Sequence, residues 1–161
     1  MALLEIRKYP DPILRRRATE VPRIDTTIRR LSDQMVETMY FSQGAGLAAN
    51  QVGVPVRLIV VRLDADVLRL VNPEIVSWEG EEVAEEGCLS IPGFFEHVKR
   101  SRKVKVRGTR IDGKVLEEEF EGFFARVFQH EIDHINGLLF VDRLSPVKKG
   151  IFRKKYGSGQ P

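Results

Sequence analysis

Little in this chain points toward a membrane or an oxidising compartment. It holds one cysteine, Cys88, so no disulfide can close within it. The chain is expected to be disulfide-free and cytoplasmic. No apolar run approaches the roughly 18–20 residues of a membrane span. Met1-Ala2-Leu3-Leu4-Glu5-Ile6-Arg7 lacks the long apolar region of a secretory signal. Excess charge of one sign is also scarce, with 26 basic against 23 acidic residues and a net charge of +3. That balance does not establish nucleic-acid binding, and no RNA-reading motif is present. Basic residues still cluster at Arg15-Arg16-Arg17, Arg29-Arg30, Lys99 to Lys105 and Lys148 to Lys155. Such runs suit a solvated surface, or loose docking on an acidic body such as ribosomal RNA.

Histidine is scarce too. There are three, and two of them stand four residues apart in His130-Glu131-Ile132-Asp133-His134. On a helix, positions i and i+4 share a face, so two imidazoles can grip one ion with Glu131 beside them as a base. Two hydrogen-bonded core histidines would give the same pattern. A catalytic site of this type takes three protein ligands and keeps one position open. Cys88, in Glu85-Glu86-Gly87-Cys88-Leu89-Ser90, is the available third donor. A lone cysteine is more often a small buried hydrophobe, but Glu85 and Glu86 are odd flanks for a core strand. Gly87 allows a close backbone approach.

The 161 residues suffice for one domain, expected over 1–161 with the last few residues frayed. Residues 1–22 read as irregular. Asp25 is a good N-cap for a helix to about Tyr40, with Ile24, Ile28, Leu31, Met35 and Met39 facing the core. Val56 to Leu63 reads as a strand, and Val67 to Val71 and Glu74 to Trp78 as two more around the Asn72-Pro73 break. Lys103 to Thr109 and Val115 to Glu121 read as a hairpin turning at Asp112-Gly113. A helix follows from about Gly122 to Asn136, stopped by Gly137. It carries a polar strip of Arg126, Gln129, Asp133 and Asn136, and an apolar strip of Phe124, Phe128, Ile132 and Ile135. Phe123, Val127, His130, Glu131 and His134 share its third side. The fold class is α+β, a single domain with antiparallel β-sheets packed around a central metal-binding helix.

Three segments together resemble the peptide deformylase family: Gly44-Ala45-Gly46-Leu47-Ala48-Ala49-Asn50-Gln51, Glu86-Gly87-Cys88-Leu89-Ser90, and Gln129-His130-Glu131-Ile132-Asp133-His134 followed by Gly137. The resemblance extends from about Tyr9 to Pro146. It implies metal ligation by Cys88, His130 and His134, and removal of the formyl group from the N-terminal formylmethionine of new polypeptides. It implies one divalent ion per chain, natively Fe2+, with Zn2+, Ni2+ or Co2+ as substitutes. Glu131 would move the proton, and the Gln51 amide and Leu89 N–H would receive the oxyanion. Gly44, Ala45, Gly46 and Gly87 would pair with an extended formylmethionyl peptide, whose side chain would enter a pocket of Ala45, Phe123 and Val127. Asp133 would either support a ligand imidazole or face solvent, and Glu86 would pair with Arg100 or Arg102. The C-terminal extension is short beside many relatives, which form a helix there. Two other readings remain open from sequence: a zincin-type metallopeptidase, and a basic ribosome-binding module with a structural metal.

Overall fold

The computed structural model describes residues 3–157. After a helical turn at Pro12–Arg15 comes helix α1, Thr26–Phe41, opened by Asp25, whose carboxylate accepts from Ile28 N. Its apolar positions Leu31, Met35 and Met39 are buried as the periodicity requires. Seven strands follow: β1 Gly46–Ala48, β2 Leu58–Leu63, β3 Asp66–Glu79, β4 Glu82–Cys88, β5 Ile91–Arg100, β6 Lys103–Arg110 and β7 Val115–Glu121. Helix α2, Phe123–Ile135, and helix α3, Pro146–Tyr156, complete the order. All strand pairs are antiparallel, in a five-stranded sheet ordered β1-β2-β3-β6-β7 and a separate hairpin of β4 and β5. Helix α2 packs on the large sheet, its Phe128 and Ile135 fully buried among Ile59, Leu70 and Val106.

The two strands expected around Asn72-Pro73 are one. The register steps from Val71 opposite Thr109 to Glu74 opposite Arg107, so three steps on β3 meet two on β6. This bulge absorbs the proline, which has no N–H for the ladder. Asn72 takes a left-handed φ of 51° there, and its side chain bonds both Val21 N and Val21 O at 2.9 Å. The hairpin β4–β5 lies where no strand is expected. α3 is a helix of 11 residues capped by Ser145, with Phe152 and Tyr156 packed on Phe94. Residues 158–161, expected to fray, lie outside the described residues.

Phe128 joins the helix to the sheet, with its ring centroid 4.3 Å from that of Phe120. Phe128→Ala is expected to lower stability by about 3–5 kcal/mol, measured by urea unfolding. A loss under about 1 kcal/mol would show that this core does not hold α2 in place.

Candidate metal centre

The i, i+4 spacing on α2 sets the two imidazoles on one face, with His130 Nε2 and His134 Nε2 3.3 Å apart. The end of β4 brings Cys88 Sγ to 3.3 Å from His134 Nε2. One donor atom from each of the three residues lies within 4.8 Å of the others. Ligand bonds of about 2.0–2.3 Å at tetrahedral angles separate donor atoms by roughly 3.3–3.7 Å, so this triad fits a single ion. Burial holds His134 well below its ordinary pKa, which keeps a lone pair free for an ion. Among the described residues no fourth His, Cys, Asp or Glu joins the group.

Glu131 is buried beside the triad's His130, and its Oε1 has no hydrogen-bond partner among the described residues. Burial raises its carboxyl to about 7, against the opposing pull of His130. It comes this close because Gly46 in β1 has no side chain: a Cβ there would stand 2.9 Å from Glu131 Cγ and Oε2. Gln51 follows β1 in a helical turn and is 2% exposed. Its Oε1 accepts from Ala48 N, and its Nε2 reaches Ser90 Oγ at 3.1 Å and Cys88 Sγ at 3.7 Å. Ser90 is therefore a fully buried partner of Gln51. Leu89 sits with it in the tight turn between β4 and β5.

A buried charge network lies under the imidazoles. Glu86 accepts from His130 Nδ1 at 2.7 Å, from Arg100 through two bonds of 2.8 and 2.9 Å, and from Arg126 at 2.8 Å. Burial pushes the Glu86 carboxyl up, but the Arg100 and His130 hydrogen bonds prevail and hold it well below the usual carboxylate range. Asp133 accepts from Arg100 at 2.7 Å and from both arms of Arg143 at 3.1 and 2.8 Å. The polar strip of α2 is thus not solvent-facing: Arg126, Gln129 and Asp133 are buried. Glu86 pairs with Arg100 and Arg126, whereas Arg102 pairs with Glu121.

A groove of about 420 Å³ opens over the triad. Gly44, Ala45, Gly46, Gly87, Phe123 and Val127 all line it, with Gln51, Leu89 and Glu131. Among the described residues β1 is an edge strand and β4 pairs only with β5, so two strand edges without a partner flank the groove. Phe123 is at the rim, 63% exposed, and Val127 is deep. Of the Phe94-Phe95 pair that follows the Cys88 segment, Phe95 lines the groove. Its ring lies over Gly87, where a Cβ would meet it at 2.5 Å. Its neighbour Phe94 turns into the core, as alternation along β5 requires.

The family described as polypeptide deformylase matches residues 3–150. The peptide deformylase of Thermodesulfovibrio yellowstonii is 48% identical over 161 residues, covering 97% of this chain and 98% of its own. That of Syntrophobacter fumaroxidans is 50% identical over 161 residues, covering 97% and 95%. The crystal structure of the Legionella pneumophila enzyme superposes with a TM-score of 0.91 at 45% identity, covering 96% of this chain and 94% of that one. With the triad, the groove and the near-complete coverage in agreement, this chain belongs to the peptide deformylase family.

Proposed function

We propose that this protein is a metal-dependent hydrolase that removes the formyl group from the N-terminal formylmethionine of new polypeptides, releasing formate. Family membership across the chain carries this reading, together with one sulfur and two imidazole nitrogens converging beneath a groove with strand edges on both sides. Cys88, His130 and His134 hold one divalent ion, with Fe2+ as the native one. The same donors suit Zn2+, Ni2+ and Co2+. When bound, the ion supplies Lewis-acid chemistry, acidifying water and polarising a carbonyl oxygen.

The chain's own groups do the rest. The peptide lies as an added strand between the edges of β1 and β4, contacting Gly44, Ala45, Gly46 and Gly87. Its methionine side chain enters between Ala45, Phe123 and Val127, where burial is worth roughly 1.5–3 kcal/mol. Glu131 accepts the proton of the attacking water. Gln51 Nε2 and the Leu89 N–H receive the oxyanion that develops on the formyl group. Glu131 then gives its proton to the departing amine. Glu86, bonded to His130 Nδ1, fixes that ring's orientation. Glu86→Gln is expected to weaken metal affinity about 10–100-fold, read by chelator competition. Unchanged affinity would remove Glu86 from this role.

We place the enzyme in the cytoplasm, in weak contact with ribosomes through the exposed cations Arg153, Lys154 and Lys155 of α3. No helix among the described residues is long and apolar enough to cross a membrane. The test offers a formylmethionyl peptide and an unformylated peptide to the metal-loaded protein. Formate from the first, with the second left intact, is the expected result. Internal cleavage without formate would make it a zincin-type peptidase, and an inert protein with tightly held metal would make the ion structural.

A further inference from the structure

A second groove, of about 580 Å³, lies against a different face of α2 from the metal centre. Its walls are the Gln129, Asp133 and Asn136 side of that helix and the far end of β3. Trp78 stands in it. Residues opposite one another in an antiparallel pair share a face. Trp78 is opposite Val104, and Ile75 is opposite Val106; both valines are buried in the core. Trp78 therefore projects from the core-bearing face of the sheet, beyond the cover of α2, and is 62% exposed.

The charges around it are unevenly matched. The groove's carboxylates have cations of their own: Glu74 with Arg107, Glu81 with Lys99, and Asp133 with Arg100 and Arg143. Arg17 and Arg57 have no carboxylate within 4.0 Å among the described residues. Both donate to one neutral oxygen, Asn136 Oδ1, at 3.2 and 2.8 Å. Arg57 also donates to Ile135 O at the end of α2. Burial first, and then the charge of Arg17, lower the pKa of Arg57, against a weaker opposing pull from Glu20 and Glu74. Along β6, by contrast, Lys103, Lys105 and Arg107 face Glu119 and Glu117 of β7.

An uncovered indole beside two guanidiniums without carboxylate partners suits a base and its phosphate. We propose that this groove binds single-stranded RNA without sequence preference, a base stacking on Trp78 and phosphate oxygens meeting Arg17 and Arg57. An acidic peptide would satisfy the arginines but leave the indole bare. Duplex RNA would keep its bases stacked away from it. The biological setting, a second foothold on an RNA-rich particle, rests on the proposed work beside ribosomes; the binding itself does not.

Trp78 is the only tryptophan in the chain, so intrinsic fluorescence reports this groove directly. The full-length protein is titrated with a short oligouridylate at low salt, and binding is followed in parallel by anisotropy of labelled RNA. Saturable quenching is expected at the same Kd as the anisotropy change. Trp78→Ala should bind about tenfold more weakly. Arg17→Glu should flatten the salt dependence of log K by about 0.7. Both variants should release formate as the parent does. Lys149→Glu with Lys154→Glu on α3 should leave the quenching intact. Absent binding, binding without quenching, affinity unchanged in both groove variants, or equal quenching by polyglutamate would each overturn the proposal. RNA binding in a protein that releases no formate would sink the enzymatic reading and leave this one standing.

Discussion

Glu131→Gln is expected to keep its metal and to lose between about a hundredfold and ten-thousandfold in formate release, the range for a positioned acid–base group. Glutamine preserves the shape of the side chain and its contact with Gly46. It cannot take up a proton and return it. The reason for so large an effect is local. The carboxylate is buried, one oxygen has no partner among the described residues, and burial raises its pKa to about 7. Such a group can accept and release a proton near neutral pH at little cost. Among the described residues, Glu131 is the carboxylate in this groove with an unbonded buried oxygen: Glu86 is tied down by four bonds and held ionised. Steady-state formate release beside metal quantification checks this, and a fully active variant would remove Glu131 from proton transfer.

The second large effect is at Cys88. Cys88→Ser should cost more in metal affinity than the roughly 10–100-fold typical of losing an outer partner, because a ligand itself is removed. The serine hydroxyl remains protonated near neutral pH and is a harder donor than thiolate. The β4–β5 hairpin should survive, since it is also anchored by Glu86 on Arg100 and Arg126. Lost metal with unchanged far-UV circular dichroism is the expected pair of results. Equal metal content and affinity in both proteins would take Cys88 out of the coordination sphere.

The helix bearing the histidines was legible because its information is local. The i, i+4 spacing, the apolar strip through Phe128 and Gly137 at its end all lie within one stretch of chain. Asp25 and the Asp112-Gly113 turn were legible for the same reason. What sequence reading missed depends on partners far along the chain. Glu86 meets the Arg100 expected of it, but Arg126, 40 residues along, joins them without any local signal. The strip of Arg126, Gln129 and Asp133 reads only as polar on a helical wheel, which leaves solvent exposure open for Asp133. It is buried because Glu86, Ser101, Arg100 and Arg143 supply its hydrogen bonds. The Asn72-Pro73 pair reads as a break, and only the neighbouring strand's register reveals a bulge. The helix α3 did leave a local signal, Ser145 as N-cap before Pro146 at the first helical position, which is the usual opening pair.

The central claim is that one thiolate and two imidazoles share an ion that keeps a position open for solvent and substrate. X-ray absorption at the metal edge of the loaded protein tests it most directly. The expected spectrum fits one sulfur at about 2.3 Å, two imidazole nitrogens at about 2.0–2.1 Å and one further light atom that an inhibitory substrate analogue displaces. A shell without sulfur, or a closed shell of four protein donors that no analogue perturbs, would contradict it.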